Sequence, residues 1–109
     1  MRKLEILAVA IICFVDLSSC STTRFAPPPV TVELTRAEAR QHADIATLRK
    51  GRVLFVHRCI ECHTLPPLWH YRTDEWPGIV NSMSHRASLK PAERAAIIAY
   101  ILAVRFAEH

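Results

Sequence analysis

Several sequence patterns are missing from this chain of 109 residues, and each absence argues against a class of protein. There is no sustained alternation of apolar and polar residues and no Asn-Gly turn, which argues against sheets and predicts an all-α domain. The apolar stretch at residues 4–15 has about 12 residues, whereas a membrane-spanning helix needs about 20. No dense stripe of Lys and Arg interleaved with aromatic residues points to nucleic-acid binding. No acid–base pair or nucleophile constellation points to an enzyme.

The first twenty residues have the layout of an export signal. Arg2 and Lys3 supply a positive start, the apolar stretch follows, and Leu-Ser-Ser-Cys ends at Cys20. This ending resembles the lipobox of bacterial lipoproteins, which implies removal of residues 1–19 and a lipid on Cys20. It also implies a position on the periplasmic side of the bacterial cell envelope, and Ser21 favours the outer membrane over the inner one. The alternatives are an ordinary signal or an uncleaved N-terminal anchor.

Residues 20–34 are predicted to form a tether between this lipid and a domain at residues 35–109. Pro27-Pro28-Pro29 favours an extended polyproline geometry and opposes a helix. At about 3.1 Å per residue, the segment would hold the domain up to roughly 45 Å from the acylated end.

The sequence Cys-Ile-Glu-Cys-His at residues 59–63 has the spacing of an attachment site for c-type haem. Two thiols three positions apart lie on one face of a helical turn, from which both can form thioethers with one haem. His63 follows the second thiol, where its imidazole can be the proximal iron ligand. Because Cys13 lies in the predicted signal and Cys20 carries lipid, no thiol is left for a disulfide. The motif therefore predicts one haem c, bound through Cys59 and Cys62.

Two other functions of a Cys-x-x-Cys pair are alternatives. A thioredoxin-like redox pair would lie in a βαβ context, for which the sequence gives no strand signal. A structural zinc site needs four ligands. The two cysteines and two of four histidines could supply them, although the second pair lacks regular finger spacing; the histidines are His57, His63, His70 and His85.

Three main helices are predicted. The first begins near Thr35, where Thr35 and Glu38 have the spacing of a capping box, and extends to about residue 55. It forms one piece or two, with the segment around His42 separate. The second starts at residue 73 and carries apolar residues on one face. The third spans about residues 91–106, with proline at its first position.

The residues around the motif resemble the class I cytochrome c family. Gly51 and Phe55 precede Cys59 at the family's spacing, Gly-x-x-x-Phe-x-x-x-Cys-x-x-Cys-His. In that family the glycine lets the C-terminal helix cross closely over the first, and the phenylalanine packs beside the crossing. The C-terminal helix contributes an apolar residue and an aromatic residue three apart, matched here by Ile97 and Tyr100. The resemblance implies a small cytochrome c-like fold, with three main helices around one covalently bound haem.

The resemblance also implies a distal iron ligand. The family places a methionine between the motif and the last helix, where this chain has Met83, and a tryptophan beside the haem, matched by Trp76. Trp76 and Phe55 are therefore expected to pack against the haem. His85 and then His70 are the rivals for the distal position, and Met83 as mere core filler is the further alternative.

The resulting prediction is a periplasmic single-electron carrier with one haem c, ligated by His63 and Met83. It is not expected to be an enzyme by itself, although it could serve as a subunit of a redox enzyme complex. The net charge of +4 favours redox partner proteins with an acidic docking surface, and the lipid implies a membrane contact. The alternatives are a haem sensor or enzyme subunit with an open iron site, and a zinc-stabilised interaction module.

Overall fold

A computed structural model describes residues 26–38, 43–61 and 64–108, and these residues form helices joined by turns, with no strand among them. The predicted all-α fold is confirmed. Two short 3₁₀ turns lie between the second and third helices, at Cys59–Glu61 and Leu68–His70. The four α-helices are α1 (Val32–Glu38), α2 (Ile45–Arg58), α3 (Trp76–Ser84) and α4 (Pro91–Ala107).

The predicted start of the first helix at Thr35 is wrong. The hydroxyl oxygen of Thr31 accepts the Leu34 N–H at 3.3 Å, so that α1 begins at Val32. Thr35 lies within α1, and its hydroxyl donates to the Val32 carbonyl at 2.6 Å. Residues 43 and 44 are not helical and α2 begins at residue 45, so the described residues fit the alternative of two pieces; His42 itself lies outside them.

Asp44 starts α2. Its Oδ1 accepts the Thr47 N–H at 2.7 Å, which satisfies one of the free amides of the first turn. The same hydrogen bond holds the pKa of Asp44 below its usual value, because the bond favours the ionised carboxylate. The helix thus begins at a local signal that lies nine residues after Thr35 in the chain.

Helices α2 and α4 cross at Gly51. A Cβ on this glycine would lie 2.0 Å from the Ala96 carbonyl oxygen and 2.9 Å from Tyr100 Cβ, so only a glycine permits this approach. Ile97 and Tyr100 are fully buried at the crossing, and the ring centroids of Phe55 and Tyr100 are 6.3 Å apart. The expected crossing is therefore present, with the residues that the family resemblance indicated.

The proline-rich segment is attached to this crossing. The Pro28 carbonyl accepts the Tyr100 hydroxyl at 2.7 Å and the Arg52 Nε–H at 2.9 Å. The Pro27 carbonyl accepts from Nη2 of Arg52 at 3.0 Å, and Leu34 is only 6% exposed. We call Pro27 and Pro28, with their bonds to Arg52 and Tyr100, the proline clasp. Through it, the described part of the predicted tether lies against α2 and α4.

The other two helices lie close to their predicted positions. The turn before α3 is closed by the Arg72 N–H, which donates to Glu75 Oε2 at 2.8 Å. A hydrogen bond from Arg72 holds the pKa of Asp74 below its usual value. At the start of α4 the Lys90 N–H donates to Glu93 Oε2 at 2.9 Å.

In the part of the chain that the structure describes, every helix is too short or too polar to cross a bilayer.

Candidate functional site

A small cavity of about 60 Å³, open to solvent on one side, lies between the end of α2 and α3. Its walls are mainly apolar and come from the end of α2, the loop after the motif, α3 and the turn that follows α3. The lining includes Phe55, Arg58, Cys59, Tyr71, Trp76, Met83, Arg86 and Ala87.

The cavity brings together four of the residues that the sequence singled out. Phe55 and Cys59 reach it from the end of α2, while Trp76 and Met83 reach it from α3. Three other predicted site residues lie outside the described part of the chain, namely Cys20, Cys62 and His63. Lipidation and proximal ligation therefore stay predictions.

Trp76 is the centre of the aromatic wall. It is 1% exposed, and its Nε1–H donates to the Leu68 carbonyl at 3.0 Å, so the polar edge of the indole is satisfied. Phe55 and Tyr71 each meet the indole edge to face, with ring centroids at 6.2 and 5.3 Å. This packing fixes the orientation of Trp76 within the cavity wall.

Tyr71 was not singled out from the sequence. Its ring reaches the cavity because the 3₁₀ turn Leu68–His70 precedes it. Neither a capping residue nor a hydrophobic period marks such a short turn, so no sequence signal could have identified this side chain. The ring of His70 meets the ring of Tyr71 edge to face, with centroids 4.7 Å apart. His70 itself is not among the residues that line the cavity.

The three candidates for the distal ligand occupy different places. Met83 is half-buried and lines the cavity together with Cys59. His85 is exposed and lines a separate polar depression beside Ser88 and Arg94. His70 is exposed and does not line the cavity. Of the three side chains, Met83 is the one that lines the cavity together with Cys59.

Two arginines, Arg58 and Arg86, also line the cavity and were not singled out from the sequence. Nη2 of Arg58 donates to the Ala87 carbonyl at 2.6 Å. A haem is a flat, largely apolar ring that carries two carboxylates. Aromatic and aliphatic walls with two guanidinium groups, a thiol and a thioether therefore suit a covalently attached haem.

Within the described ranges, no three His, Cys, Asp or Glu side chains lie close enough together to hold a metal ion. The zinc alternative draws on Cys62 and His63, which are outside those ranges. It is therefore tested by experiment below.

Comparison with known proteins gives one informative similarity. No family model and no solved structure matches the chain. A segment of 73 residues is 33% identical to the cytochrome c-type protein TorY of Haemophilus influenzae. The match covers 66% of this chain but 20% of that protein, so the chain corresponds to about a fifth of the length of this relative. The similarity agrees with the resemblance to c-type cytochromes that the sequence motif indicates.

Proposed function

We propose that this chain is a single-electron carrier on the periplasmic side of a bacterial envelope, with one haem c ligated by His63 and Met83. The observation that carries the proposal is the cavity that Cys59, at the end of α2, and Met83, on α3, line together. The similarity to a cytochrome c-type protein supports the same cofactor independently of the cavity.

The residues of the chain would divide the work as follows. Cys59 and Cys62 would form the thioethers, and His63 and Met83 would supply the axial nitrogen and sulfur. When bound, the haem supplies one-electron oxidation and reduction. A thioether ligand and an apolar wall both raise the reduction potential, because each disfavours the more highly charged oxidised centre.

Occupied axial positions favour a carrier over a catalyst. A haem sensor or haem enzyme needs an open iron position at which a small molecule can bind. With Met83 bound, that position is filled by a side chain and a small molecule cannot bind to the iron. Electron transfer does not need an open position, so it is the function that remains. The alternative with an open iron site therefore depends on Met83 not binding.

Lipidation at Cys20 would anchor this carrier to a membrane, and the proline clasp would limit the distance between the domain and the bilayer. The clasp fastens the chain at Pro27, where Arg52 holds the carbonyl oxygen at 3.0 Å. Pro27 lies seven positions after Cys20, and seven Cα-to-Cα steps span at most about 25 Å. The domain would thus stay nearer to the bilayer than the roughly 45 Å that a free tether would allow.

The partner that we propose is a redox protein with an acidic docking surface. Exposed Arg86 lines the cavity, and Lys90 and Arg94 follow in the adjoining segment. Positive charge near the cavity would steer an acidic partner to the cofactor. Electron transfer should then slow as salt is raised, because exposed charges are screened beyond about 10 Å at 0.1 M.

Visible spectra of the protein made with haem-maturation machinery test the proposal. The wild type should show the Soret absorption of a haem and, when oxidised, the weak near-infrared band of a sulfur–iron bond. Met83→Ala should lose that near-infrared band and keep the Soret absorption. His85→Ala, two residues away in the chain, is the matched control and should keep both.

Each alternative gives a different result in the same experiment. A wild type without the sulfur–iron band, whose reduced form binds carbon monoxide, would replace the carrier by the open-site sensor or enzyme subunit. A protein that has no Soret absorption and holds zinc would be the interaction module.

A further inference from the structure

Arg58 joins the two walls of the cavity. It immediately precedes Cys59 at the end of α2, and its Nη2 donates to the Ala87 carbonyl at 2.6 Å across 29 positions of the chain. Ala87 in turn donates its N–H to the Met83 carbonyl at 3.0 Å. All four residues line the same cavity. A short chain of hydrogen bonds therefore runs from the residue next to the first motif cysteine to the candidate distal ligand.

Ala87 is buried in the turn that follows α3, and its carbonyl needs a partner from outside that turn. After α3 the backbone turns back through Ser88, whose φ is +50°, and the Leu89 N–H returns to the Ser84 carbonyl at 3.0 Å. This arrangement ends the helical hydrogen bonding, and the last carbonyls of a helix carry partial negative charge. A guanidinium group is well suited to such an acceptor, since the bond is assisted by its charge.

We propose that Arg58 is a positioning residue for Met83. By holding Ala87, one turn beyond Met83, it sets the distance between the Met83 wall and the Cys59 wall, and with it the fit of the thioether to the iron. Arg58 acts through Ala87 and not by touching the iron. The inference rests on the proposed haem with Met83 ligation.

Arg86 provides a matched comparison. It also lines the cavity and has the same side chain, but it lies beside Ala87 in the chain. It belongs to the same wall as Met83 and does not connect that wall to Cys59. If a positive charge in the cavity were all that mattered, the two arginines would be equivalent.

The test measures how readily cyanide displaces Met83 from the oxidised iron of the holoprotein. Arg58→Met keeps an unbranched apolar stem, although a shorter one, and removes the donors of the guanidinium group. We expect its cyanide affinity to rise about tenfold or more, as for the loss of a hydrogen bond to a charged group. Its sulfur–iron band should also disappear at a lower temperature. Arg86→Met removes the same charge from the cavity but leaves the bond from Arg58 to Ala87, so its cyanide affinity should rise several-fold less than that of Arg58→Met. The circular dichroism of both variants should be unchanged.

Equal cyanide affinities in Arg58→Met and Arg86→Met would overturn the inference. If Arg58→Met does not take up haem, Arg58→Gln replaces it, and a cyanide affinity equal to that of the wild type would overturn the inference in the same way. A wild type that lacks the sulfur–iron band would instead contradict the proposed ligation itself. The two failures are thus distinguished by the wild-type spectrum.

Discussion

The helix crossing and the cavity are two sides of one small domain, and they are held in different ways. At the crossing, the backbone of α2 at Gly51 lies directly against the backbone of α4 at Ala96. The proline clasp is hydrogen-bonded to the same two helices. At the cavity, Cys59 and half-buried Met83 belong to different elements, and the bond from Arg58 to Ala87 joins these elements. The crossing is therefore held by close backbone packing, whereas a long-range polar bond contributes to holding the cavity walls together. Mutations should separate the two sides.

The largest effect is expected at the crossing, from Gly51→Ala. The new Cβ would overlap the Ala96 carbonyl oxygen, which is backbone and cannot turn away as a flexible side chain can. The helices would have to separate, at a cost of about 3 kcal/mol of unfolding free energy. Denaturant unfolding of the holoprotein measures this change.

Gly78→Ala is the control for this substitution. Gly78 lies within α3, where an added Cβ would meet nothing within 4 Å. Alanine favours the helix there by about 1 kcal/mol. The same chemical change should thus destabilise one site and stabilise the other. Equal effects at both sites would show that helix propensity, and not the close approach, governs Gly51.

The crossing could be predicted from the sequence because its signal is local. Gly51 and Phe55 have a fixed spacing to the motif, and the spacing of Ile97 and Tyr100 matches them from the last helix. The structure places the four residues in one buried contact. The cavity-facing positions of Trp76 and Met83 also followed from their period on a single helix.

The long-range polar bonds could not be predicted. The hydroxyl of Tyr100 meets the Pro28 carbonyl across 72 positions, and a backbone carbonyl leaves no trace in the sequence. For the same reason the segment at Pro28 was expected to be a free tether. At Thr35 a local signal gave a wrong prediction. The capping pattern predicted a helix start there, but Thr31, four residues earlier, caps the helix and Thr35 lies inside it.

A smaller effect is expected from Tyr100→Phe, which loosens the proline clasp. The variant keeps the buried ring and loses the hydroxyl donor at 2.7 Å from Pro28, which should cost about 1 kcal/mol. Tyr71→Phe is the control, because the described contacts of Tyr71 are made by its ring. In a chain shortened to begin at residue 31, which lacks Pro27 and Pro28, Tyr100→Phe should lower the free energy of unfolding by much less. An equal loss in the full and the shortened chain would show that the bond to Pro28 is not the cause.

Tyr100 should also give the protein an alkaline limit. Burial raises the pKa of Tyr100 above its ordinary value of 10.0, since the phenolate is disfavoured away from water. The unfolded chain releases this proton near pH 10, and the folded one only at higher pH. The stabilisation is therefore complete below about pH 10 and is lost as the pH rises towards the folded pKa. Tyr100→Phe should remove this part of the pH dependence of unfolding, and Tyr71→Phe should keep it.

The smallest effect is expected on the cavity side, from Ser88→Gly. Ser88 has a φ of +50°, a left-handed conformation that costs an L-residue about 1–2 kcal/mol, while glycine adopts it freely. Glycine loses more entropy on folding, by about 0.4–1 kcal/mol, so the net gain should be about 0.5 kcal/mol. Ser82→Gly, within α3, loses helix propensity and the hydroxyl bond to the Ile79 carbonyl, with no strain to relieve, and should be destabilised. Because Ser88 follows Ala87, the variant should also leave the bond from Arg58 intact, and its cyanide affinity should equal that of the wild type. A tighter cyanide complex in Ser88→Gly would mean that the strained turn itself, and not Arg58 alone, holds Met83 in place.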